Sequence, residues 1–281
     1  MSARGILLTG GTGKTGGRLA RRLRELGEPV RIASRSGTAP EGLAAVRFDW
    51  NEPSGHDRAL EGIDRVYLVS PAPPSEPLAV MEPFLERAVS AGVRRFVLLS
   101  ASSLPEGGPA MGRVHSLLRE RAPEWAVLRP SWFMQNFSEG PHRETIRNEG
   151  VLYSATGEGR VPFIDAGDIA EVAVRALLDE PAHDAAHLIT GPEALTYGEV
   201  ARRLGEALGK PVRHVSLSLE ELTARWVALG LPGDYAALLA GMDGEIARGA
   251  EARTSEEVER VTGRPARTFT DFVRTSLAAW R

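Results

Sequence analysis

The amino-acid sequence predicts an α/β fold, a doubly wound parallel sheet with a smaller, mostly helical C-terminal lobe. Over the first half of the chain, short apolar runs alternate with segments that carry apolar residues at helical spacing. This alternation is typical of parallel strands joined by right-handed helical crossovers. After about Arg129 helical patterns dominate. We therefore expect a sheet domain at residues 1–150, and sheet-edge strands with a helical lobe at residues 151–281, packed together as one compact unit.

The elements of the first half follow from the same pattern. The run GILLT predicts a strand at Gly5–Thr9, because it is too short for a helix and is ended by glycines. A helix is expected from Lys14 to Leu26, where Gly27 ends it. Further strands are predicted at Val30–Ala33, Val46–Phe48, Arg65–Val69, Arg95–Ser100 and Trp125–Arg129, and further helices at Pro77–Ala91 and Gly112–Arg121.

Helix starts in the second half carry a recurring signal. A hydroxyl residue followed three positions later by glutamate predicts a capping box, in which the two side chains satisfy the free amides of the first helical turn. Three such pairs occur: Thr196 with Glu199, Ser218 with Glu221, and Thr254 with Glu257.

Composition excludes several classes of protein. The 281 residues carry a net charge of −3 and no long basic run, which argues against nucleic acid or an anionic membrane as the main partner. The absence of cysteine excludes disulfides, thiolate catalysis and zinc–sulfur sites. No secretory or membrane-spanning segment is evident. We expect a cytoplasmic protein that acts on a small molecule, and the sequence leaves its oligomeric state open.

The stretch TGGTGKTGG, residues Thr9–Gly17, fits two kinds of nucleotide site at first sight. A triphosphatase P-loop needs a glycine five positions before Gly13, and that position is Leu8, inside the predicted strand. A P-loop protein also needs a strand that ends in a magnesium-binding aspartate, but RVYLVS ends at Ser70. The P-loop interpretation therefore fails.

A dinucleotide-binding turn, by contrast, has its glycines in place. Gly10 allows the tight turn, Gly13 allows close approach of a pyrophosphate, and Gly16 allows the helix to pack on the strand. The amides and the positive dipole end of the helix then face the phosphates. The alternative is a plain strand–helix connection, but the strand before and the helix and second strand after favour a Rossmann-like dinucleotide site.

The residues at the end of the second strand indicate which dinucleotide the site binds. Sites that prefer NAD place an acidic residue there for the ribose 2′-hydroxyl, whereas this chain has Ser34, Arg35 and Ser36. An arginine with two hydroxyls suits a 2′-phosphate, so NADP(H) is favoured over NAD(H). The alternative is a solvated surface arginine.

Other predicted contacts of the cofactor follow the later strands. Asp49 and Trp50 are expected at the adenine edge, and Ser70, Pro71 and Ala72 at the middle of the cofactor. The complete predicted cofactor set is Gly10, Thr12, Gly13, Lys14, Thr15, Gly16, Ser34, Arg35, Ser36, Asp49, Trp50, Ser70, Pro71, Ala72, Ser100 and Pro130.

Several motifs together carry a family resemblance. The segments TGGTGKT, VYLVSPAPP, LRPSWFMQNF, FIDAGDIA and TGRPARTFTDFV resemble the NmrA-like atypical short-chain dehydrogenase/reductase family. Within it they look most like the ergot-alkaloid reductases of festuclavine dehydrogenase type and their bacterial relatives. The resemblance implies an NADP-binding Rossmann fold with a substrate pocket between the carboxyl edge of the sheet and the C-terminal lobe. It leaves the substrate open, because the family includes reductases of imines, alkenes and quinones as well as members that bind NADPH without turnover.

The chain lacks the catalytic pair that ordinary short-chain dehydrogenases use as a proton donor. Those enzymes use Tyr-x-x-x-Lys to exchange a proton with the substrate oxygen. No tyrosine here has lysine four positions on, since Pro71, Gly157, Ala201 and Leu239 follow Tyr67, Tyr153, Tyr197 and Tyr235. Two catalytic candidates remain. His115 is a possible proton donor, with a packing or surface role as the alternative, and Ser100 is a possible substrate-orienting hydroxyl, with a turn of small residues as the alternative.

The segment after the sixth strand is the predicted substrate region. Pro130 and the next amides are expected to hold the nicotinamide carboxamide, at the strand end where open α/β sheets bind ligands. The predicted apolar pocket consists of Trp132, Phe133, Met134 and Phe137, with a role in the core as the alternative. Asp165 and Asp168 are expected to stabilise a helix start rather than to act as a catalytic pair.

These observations predict an NADPH-dependent reductase that delivers hydride to an electrophilic carbon of iminium, enone or quinone type in a small apolar molecule. A cationic electrophile is neutralised by hydride, so no tyrosine acid is needed, and positioning carries the catalysis. No metal site is expected. The alternative is a non-catalytic NADP(H)-binding sensor that regulates a protein partner.

Overall fold

A parallel sheet is the centre of the fold in a computed structural model, which describes residues 5–71 and 76–281. The strands are β1 (Gly5–Thr9), β2 (Val30–Ser34), β3 (Ala44–Arg47), β4 (Ile63–Val69), β5 (Arg95–Leu99), β6 (Glu124–Pro130), β7 (Val151–Ser154), β8 (Ala185–Ile189) and β9 (Arg213–Ser216). Seven of them form one sheet in the order β3-β2-β1-β4-β5-β6-β8, and every neighbouring pair is parallel. β7 and β9 form a separate parallel pair. The predicted doubly wound α/β fold is confirmed, and the six predicted strands lie within two residues of their observed bounds.

The helices connect and cover these strands. They are α1 (Lys14–Glu25), α2 (His56–Leu60), α3 (Pro77–Ser90), α4 (Met111–Arg121), α5 (Gln135–Ser138), α6 (His142–Glu149), α7 (Ala166–Leu178), α8 (Tyr197–Leu208), α9 (Leu219–Ala228), α10 (Gly233–Ala247), α11 (Glu257–Thr262) and α12 (Phe269–Ser276). No helix within the described ranges is long and apolar enough to cross a membrane.

Alternation along the strands assigns the two faces of the main sheet. Leu7 of β1 joins a buried cluster with side chains of α2, α3 and α4, including Phe84. Tyr67 of β4 occupies an opposite-face position, and its hydroxyl donates to Thr15 of α1 at 3.3 Å. Because both faces are covered, the strands are apolar almost throughout, as the sequence pattern indicated.

The chain divides into two compact units whose segments interleave. The first unit comprises residues 1–130, 166–189 and 257–264, and the second comprises residues 131–165, 190–256 and 265–281. The first segment of the first unit thus ends with β6, at residue 130. The chain also returns twice to the first unit: β8 extends the main sheet and α7 packs on it, and α11 then packs on both.

The second unit has its own core and well-capped helices. Phe163, Phe269 and Trp280 are among its buried side chains. The capping boxes Thr196–Glu199 and Ser218–Glu221 are both present, at the starts of α8 and α9.

The third expected capping box, Thr254 with Glu257, does not have this geometry. Helix α11 begins at Glu257 itself, so Glu257 is the first helical residue instead of the third. Its carboxylate accepts hydrogen bonds from His187 and Arg260.

Candidate cofactor and substrate site

The glycine turn after β1 places the start of α1 at the carboxyl edge of the sheet. Gly10 adopts a φ of +73°, which favours glycine, and a Cβ there would lie 3.0 Å from Cβ of Val69. The amide of Gly13 donates to the carbonyl of Gly10 at 3.0 Å and closes the turn. Gly13 is the N-cap of α1 and provides no side-chain cap, so the first-turn amides of α1 are suited to bind an anion.

Two further positions of the turn are glycine because neighbouring atoms leave no room for a Cβ. A Cβ on Gly16 would lie 2.3 Å from the carbonyl oxygen of Gly10, so helix and turn contact each other through backbone. A Cβ on Gly11 would lie 2.5 Å from Cδ1 of Ile32 in β2. Gly11 was not in the predicted set, because the three-glycine spacing does not include it. The predicted contact of Gly13 with a pyrophosphate remains a prediction.

A groove of about 310 Å³ opens beside this turn, where the strand order reverses between β1 and β4. Its lining residues are Thr9, Gly10, Thr12, Ala33, Ser34, Arg35, Phe48, Asp49, Trp50, Asn51, Val69, Ser70 and Pro71. The structure thus brings together eight of the predicted cofactor residues in the crevice where open α/β sheets bind ligands. The predicted contact at Ala72 lies outside the described residues.

At the end of β2, a cluster of hydroxyls surrounds the predicted phosphate-binding arginine. Ser34 Oγ donates to the carbonyl of Thr38 at 2.8 Å, and Ser36 Oγ lies 2.6 Å from the Thr38 hydroxyl. Arg35 is exposed and has no hydrogen-bond or ion-pair partner in the described parts of the chain. Its guanidinium is therefore available to an anionic ligand in the groove.

The next strand supplies a carboxylate and a ring to the groove. Asp49 Oδ1 accepts from the amide of Asn51 at 2.9 Å, which fixes the side chain. Trp50 is largely buried and packs edge-on against Phe48 and Phe84, at centroid distances of 5.0 and 5.2 Å. An acceptor and a rigid ring edge of this kind suit an adenine, and the contact of both residues with it remains a prediction.

Two predicted residues at the start of α1 make contacts away from the groove. Thr15 is buried and accepts the Tyr67 hydroxyl, so its side chain faces the sheet and only its backbone is suited to a phosphate. The carbonyl of Lys14 accepts from Arg18 at 2.8 Å.

Ser100 and Pro130 end neighbouring strands, so the structure brings them to the same sheet edge. The amide of Ser100 donates to the carbonyl of Leu128 at 2.8 Å, and the carbonyl of Pro130 accepts from Ser102 at 2.9 Å. The buried Oγ of Ser100 has no hydrogen-bond partner among residues 5–71 and 76–281. A buried hydroxyl without a partner is rare and is suited to a ligand. Ser131, which the sequence analysis did not single out, has the same property in the second unit.

His115 is a buried side chain of α4. It is 2% exposed, and neither ring nitrogen has a hydrogen-bond partner in the described chain. Its ring lies 5.7 Å from that of Trp125, the second residue of β6, whereas the predicted cofactor contact, Pro130, is at the opposite end of that strand. Burial lowers the pKa of His115, and the Glu106 carboxylate 3.9 Å away opposes this only in part. These features favour the packing role over that of a proton donor.

The aromatic segment after β6 divides into core and partly exposed residues. Met134 and Phe137 are 1% and 0% exposed and belong to the core of the second unit. Their burial favours the alternative role in the core, and a contact of either residue with the substrate stays a prediction. Trp132 and Phe133 are partly exposed. The segment is held by Ile164, whose carbonyl accepts from the amide of Met134 and whose amide donates to the carbonyl of Trp132. Helix α5 follows directly and contains Phe137.

The two acids of FIDAGDIA have separate roles. Asp165 accepts from Arg267 at 3.1 Å in the second unit, and Asp168 lies in the first turn of α7. No group of three His, Asp or Glu side chains that could hold a metal ion occurs in the part of the chain that the structure describes.

Comparison with known proteins agrees with this geometry. The model of a family described as NAD(P)H-binding matches residues 10–181. An uncharacterised oxidoreductase, YesF, of Bacillus subtilis is 47% identical over 98% of this chain and 96% of its own length. Agroclavine dehydrogenase of Claviceps fusiformis is 42% identical over 98% of both chains.

A solved structure has the same fold. The NADPH-dependent quinone oxidoreductase QOR2 of Escherichia coli, in complex with NADPH, superimposes with a TM-score of 0.83 at 22% identity and covers 97% of this chain and 99% of that one. The glycine turn, the groove and the relatives that match nearly the whole chain lead to one conclusion: the protein belongs to the NAD(P)H-binding family and is an NAD(P)H-dependent oxidoreductase.

Proposed function

We propose that the protein is an NADPH-dependent reductase that transfers hydride to an electrophilic carbon of iminium, enone or quinone type in a small, apolar molecule. The observation that carries the choice of cofactor is Arg35, a guanidinium without a partner in the described chain, in the groove at the end of β2. A 2′-phosphate would complete this cluster through charge-assisted hydrogen bonds from Arg35 and the hydroxyl of Ser36, and from Ser34 if its hydroxyl turns away from the Thr38 carbonyl. NADH lacks that phosphate.

The proposed class of electrophile rests on the absence of an evident proton donor. The tyrosines lack a lysine partner, and the geometry of His115 does not favour a proton donor. When bound, the nicotinamide supplies the hydride, and the chain binds, orients and shields the substrate. An iminium is neutralised by hydride alone, whereas a simple ketone develops an alkoxide that needs a proton. Iminium ions are therefore the favoured substrates within the proposed class.

Ser100 and the partly exposed Trp132 and Phe133 are the proposed substrate contacts. The hydroxyl of Ser100 is buried without a hydrogen-bond partner in the described chain, so it is suited to donate to a polar atom of the ligand. Trp132 and Phe133 follow Pro130 after one residue, Ser131, and offer apolar surface. Agroclavine dehydrogenase, a relative across the whole chain, supports a small organic substrate for this protein as well.

The test is loss of NADPH absorbance with four electrophiles at equal concentration: an N-alkyl iminium, an enone, a quinone and a simple ketone. We expect turnover of at least one of the first three, no turnover of the ketone, and slower turnover with NADH than with NADPH. Reduction of the ketone at a comparable rate would contradict a mechanism without a proton donor. Lack of turnover with all four, in protein that binds NADPH, would favour the sensor.

A further inference from the structure

Two histidines and two carboxylates form a hydrogen-bonded row at the edge of the main sheet, within the first unit. His183 lies in the loop between α7 and β8, and His187 lies in β8. Nδ1 of His183 is 3.0 Å from Nε2 of His187. The other nitrogen of His183, Nε2, lies 3.1 Å from Oδ2 of Asp179. Nδ1 of His187 lies 2.6 Å from Oε1 of Glu257. All four ring nitrogens are therefore engaged, and none of these residues lines the cofactor groove.

The row determines how many hydrogens the two rings carry. Asp179 pairs with Arg175 at 3.0 Å, and Glu257 accepts from Arg260 at 2.8 Å. Ionised carboxylates only accept hydrogen bonds, so each of the three contacts in the row needs a hydrogen from a ring. Two neutral imidazoles carry two hydrogens, and two imidazoliums carry four. Only a pair of rings with a single positive charge carries the three hydrogens that the row needs.

Burial indicates which ring carries the charge. His187 is 1% exposed, and burial lowers its pKa, an effect that the hydrogen bond to Glu257 opposes only in part. The side chain of His183 is 15% exposed. An imidazolium at His183 donates from one nitrogen to Asp179 and from the other to His187. A neutral His187 then accepts at Nε2 and donates from Nδ1 to Glu257, which satisfies the whole row.

The neighbouring elements supply the other charged groups of this region. The described residues of this kind are Arg95 of β5, Arg175 of α7, Asp179 at the end of α7, Asp184 before β8, and Glu257 and Arg260 of α11. Arg95 donates to the carbonyl of Asp179 at 2.7 Å, and Asp184 accepts from the amide of Trp125 at 2.9 Å. Arginine and carboxylate side chains ordinarily keep their charge between about pH 5 and 8, whereas imidazoles titrate there. The two histidines are therefore the groups that make the row sensitive to pH.

We propose that His183 and His187 hold one proton between them and form a latch that is closed in the protonated pair and opens when that proton is lost. The neutral pair has one hydrogen too few, so two acceptors face each other at 3.0 or 3.1 Å. His183, the more exposed ring, then turns away, while His187 stays on Glu257. The loop before β8 thereby loses its attachment to the strand. The latch lies outside the cofactor groove, so the proposal goes beyond the proposed function and does not depend on it.

The first measurement is the protonation of the ring nitrogens in wild type, by NMR with ¹⁵N-labelled histidine. Loss of signals in His183→Gln assigns that ring. At pH 5.5 we expect hydrogen on both nitrogens of His183 and on Nδ1 alone of His187, with a scalar coupling between the two facing nitrogens through their hydrogen bond. At pH 8.5 the pair should have released one proton and lost the coupling.

Several results of this experiment would overturn the proposal. The pair would not hold a single charge if it released two protons or none between the two pH values. Absence of the coupling at pH 5.5 would mean that the rings do not share a hydrogen. Persistence of the coupling at pH 8.5 would mean that the latch does not open.

The second measurement is hydrogen exchange of β8, whose residues pair with β6. Protection of the amides of residues 186–189 is compared at pH 5.5 and 8.5, after correction for the intrinsic rates. In wild type we expect protection to fall at least tenfold at the higher pH, because one charge-assisted hydrogen bond is lost. In His183→Gln it should be the same at both values, since glutamine does not titrate.

His214→Gln is the matched control, because it removes a partly buried histidine of the second unit whose ring contacts Ser154 at 2.8 Å. It should keep the fall in protection that wild type shows. An equal fall in wild type and His183→Gln would contradict the latch, and so would unchanged protection of wild type between the two pH values.

Discussion

His187 and Glu257 form a short hydrogen bond: Nδ1 of the imidazole lies 2.6 Å from Oε1 of the carboxylate. His187 belongs to β8 and Glu257 begins α11, so the contact joins segments 70 residues apart in the chain. Arg260 also donates to Glu257. The bonds from Arg260, followed by that from His187, lower the pKa of Glu257 to about 2. Glu257 is thus an anionic anchor for α11 on the edge of the main sheet.

The first prediction concerns this anchor. Glu257→Gln should lower the free energy of unfolding at pH 7 by roughly 1–3 kcal/mol, because a charge-assisted pair is replaced by a neutral one. The folded-state pKa is below the ordinary value of 4.5, so the contribution is fully present above about pH 5. It is lost as the pH falls from there towards 2. Urea unfolding at several pH values measures the difference.

Glu259→Gln is the control, since Glu259 lies on the same helix but is exposed. It should change the unfolding free energy by less than about 0.5 kcal/mol at every pH. A gap between wild type and Glu257→Gln that stays constant from pH 7 to pH 3 would contradict the assignment.

The second prediction concerns the glycine turn. Gly16→Ala should destabilise the fold by roughly 1–3 kcal/mol and weaken NADPH binding, because the new Cβ would lie 2.3 Å from a backbone oxygen that cannot move without opening the turn. Gly17→Ala is the matched control: its Cβ would lie 3.7 Å from the nearest atom, and alanine in a helix stabilises by about 0.5–1 kcal/mol. Thermal unfolding and NADPH titration test both. Equal tolerance of the two alanines would mean that the turn is not tightly packed on α1.

These contacts explain which features the sequence predicts. The strands and Gly10 depend on local chemistry, apolar runs and a positive φ, so they can be read from neighbouring residues. The pairs His187–Glu257 and Ala155–Asp243 connect positions 70 and 88 residues apart, and nothing local indicates them. Glu257 was instead assigned to a capping box, because the local pattern fits one.

For the aromatic segment after β6, prediction from the sequence is limited for a different reason. Its position after β6 predicts a place near the sheet edge, but not which side chains turn inward. Phe133 bridges to Ile164, whereas Phe137 lies in helix α5 and packs in the core against Phe163 and Phe269. These partners come from other parts of the chain, so composition alone could not separate core from pocket.

The third prediction concerns cofactor preference. Arg35→Asp should raise the Kd for NADPH roughly 10–100-fold, since hydrogen bonds to a charged group contribute about 1.5–3 kcal/mol and the new carboxylate repels the 2′-phosphate. The Kd for NADH should change by less than about threefold. Arg21→Asp, on the exposed face of α1, is the control for the change in net charge. Equal losses for both dinucleotides would remove Arg35 from the 2′-phosphate site.

The last prediction tests the mechanism at His115. His115→Leu should lower kcat by less than about tenfold, because a positioned general acid typically contributes 10²–10⁴-fold and the imidazole packs on Trp125 away from the cofactor edge. The variant should also fold at least as stably as wild type, since leucine fills a similar volume and removes two buried nitrogens that have no hydrogen-bond partner in the described chain. Both measurements use saturating NADPH and the best electrophile of the panel. The pH profile of kcat is a further readout, because a proton donor would add an ionisation that His115→Leu removes. A thousandfold loss with unchanged NADPH affinity, together with loss of that ionisation, would make His115 the proton donor and a neutral carbonyl or enone the better substrate.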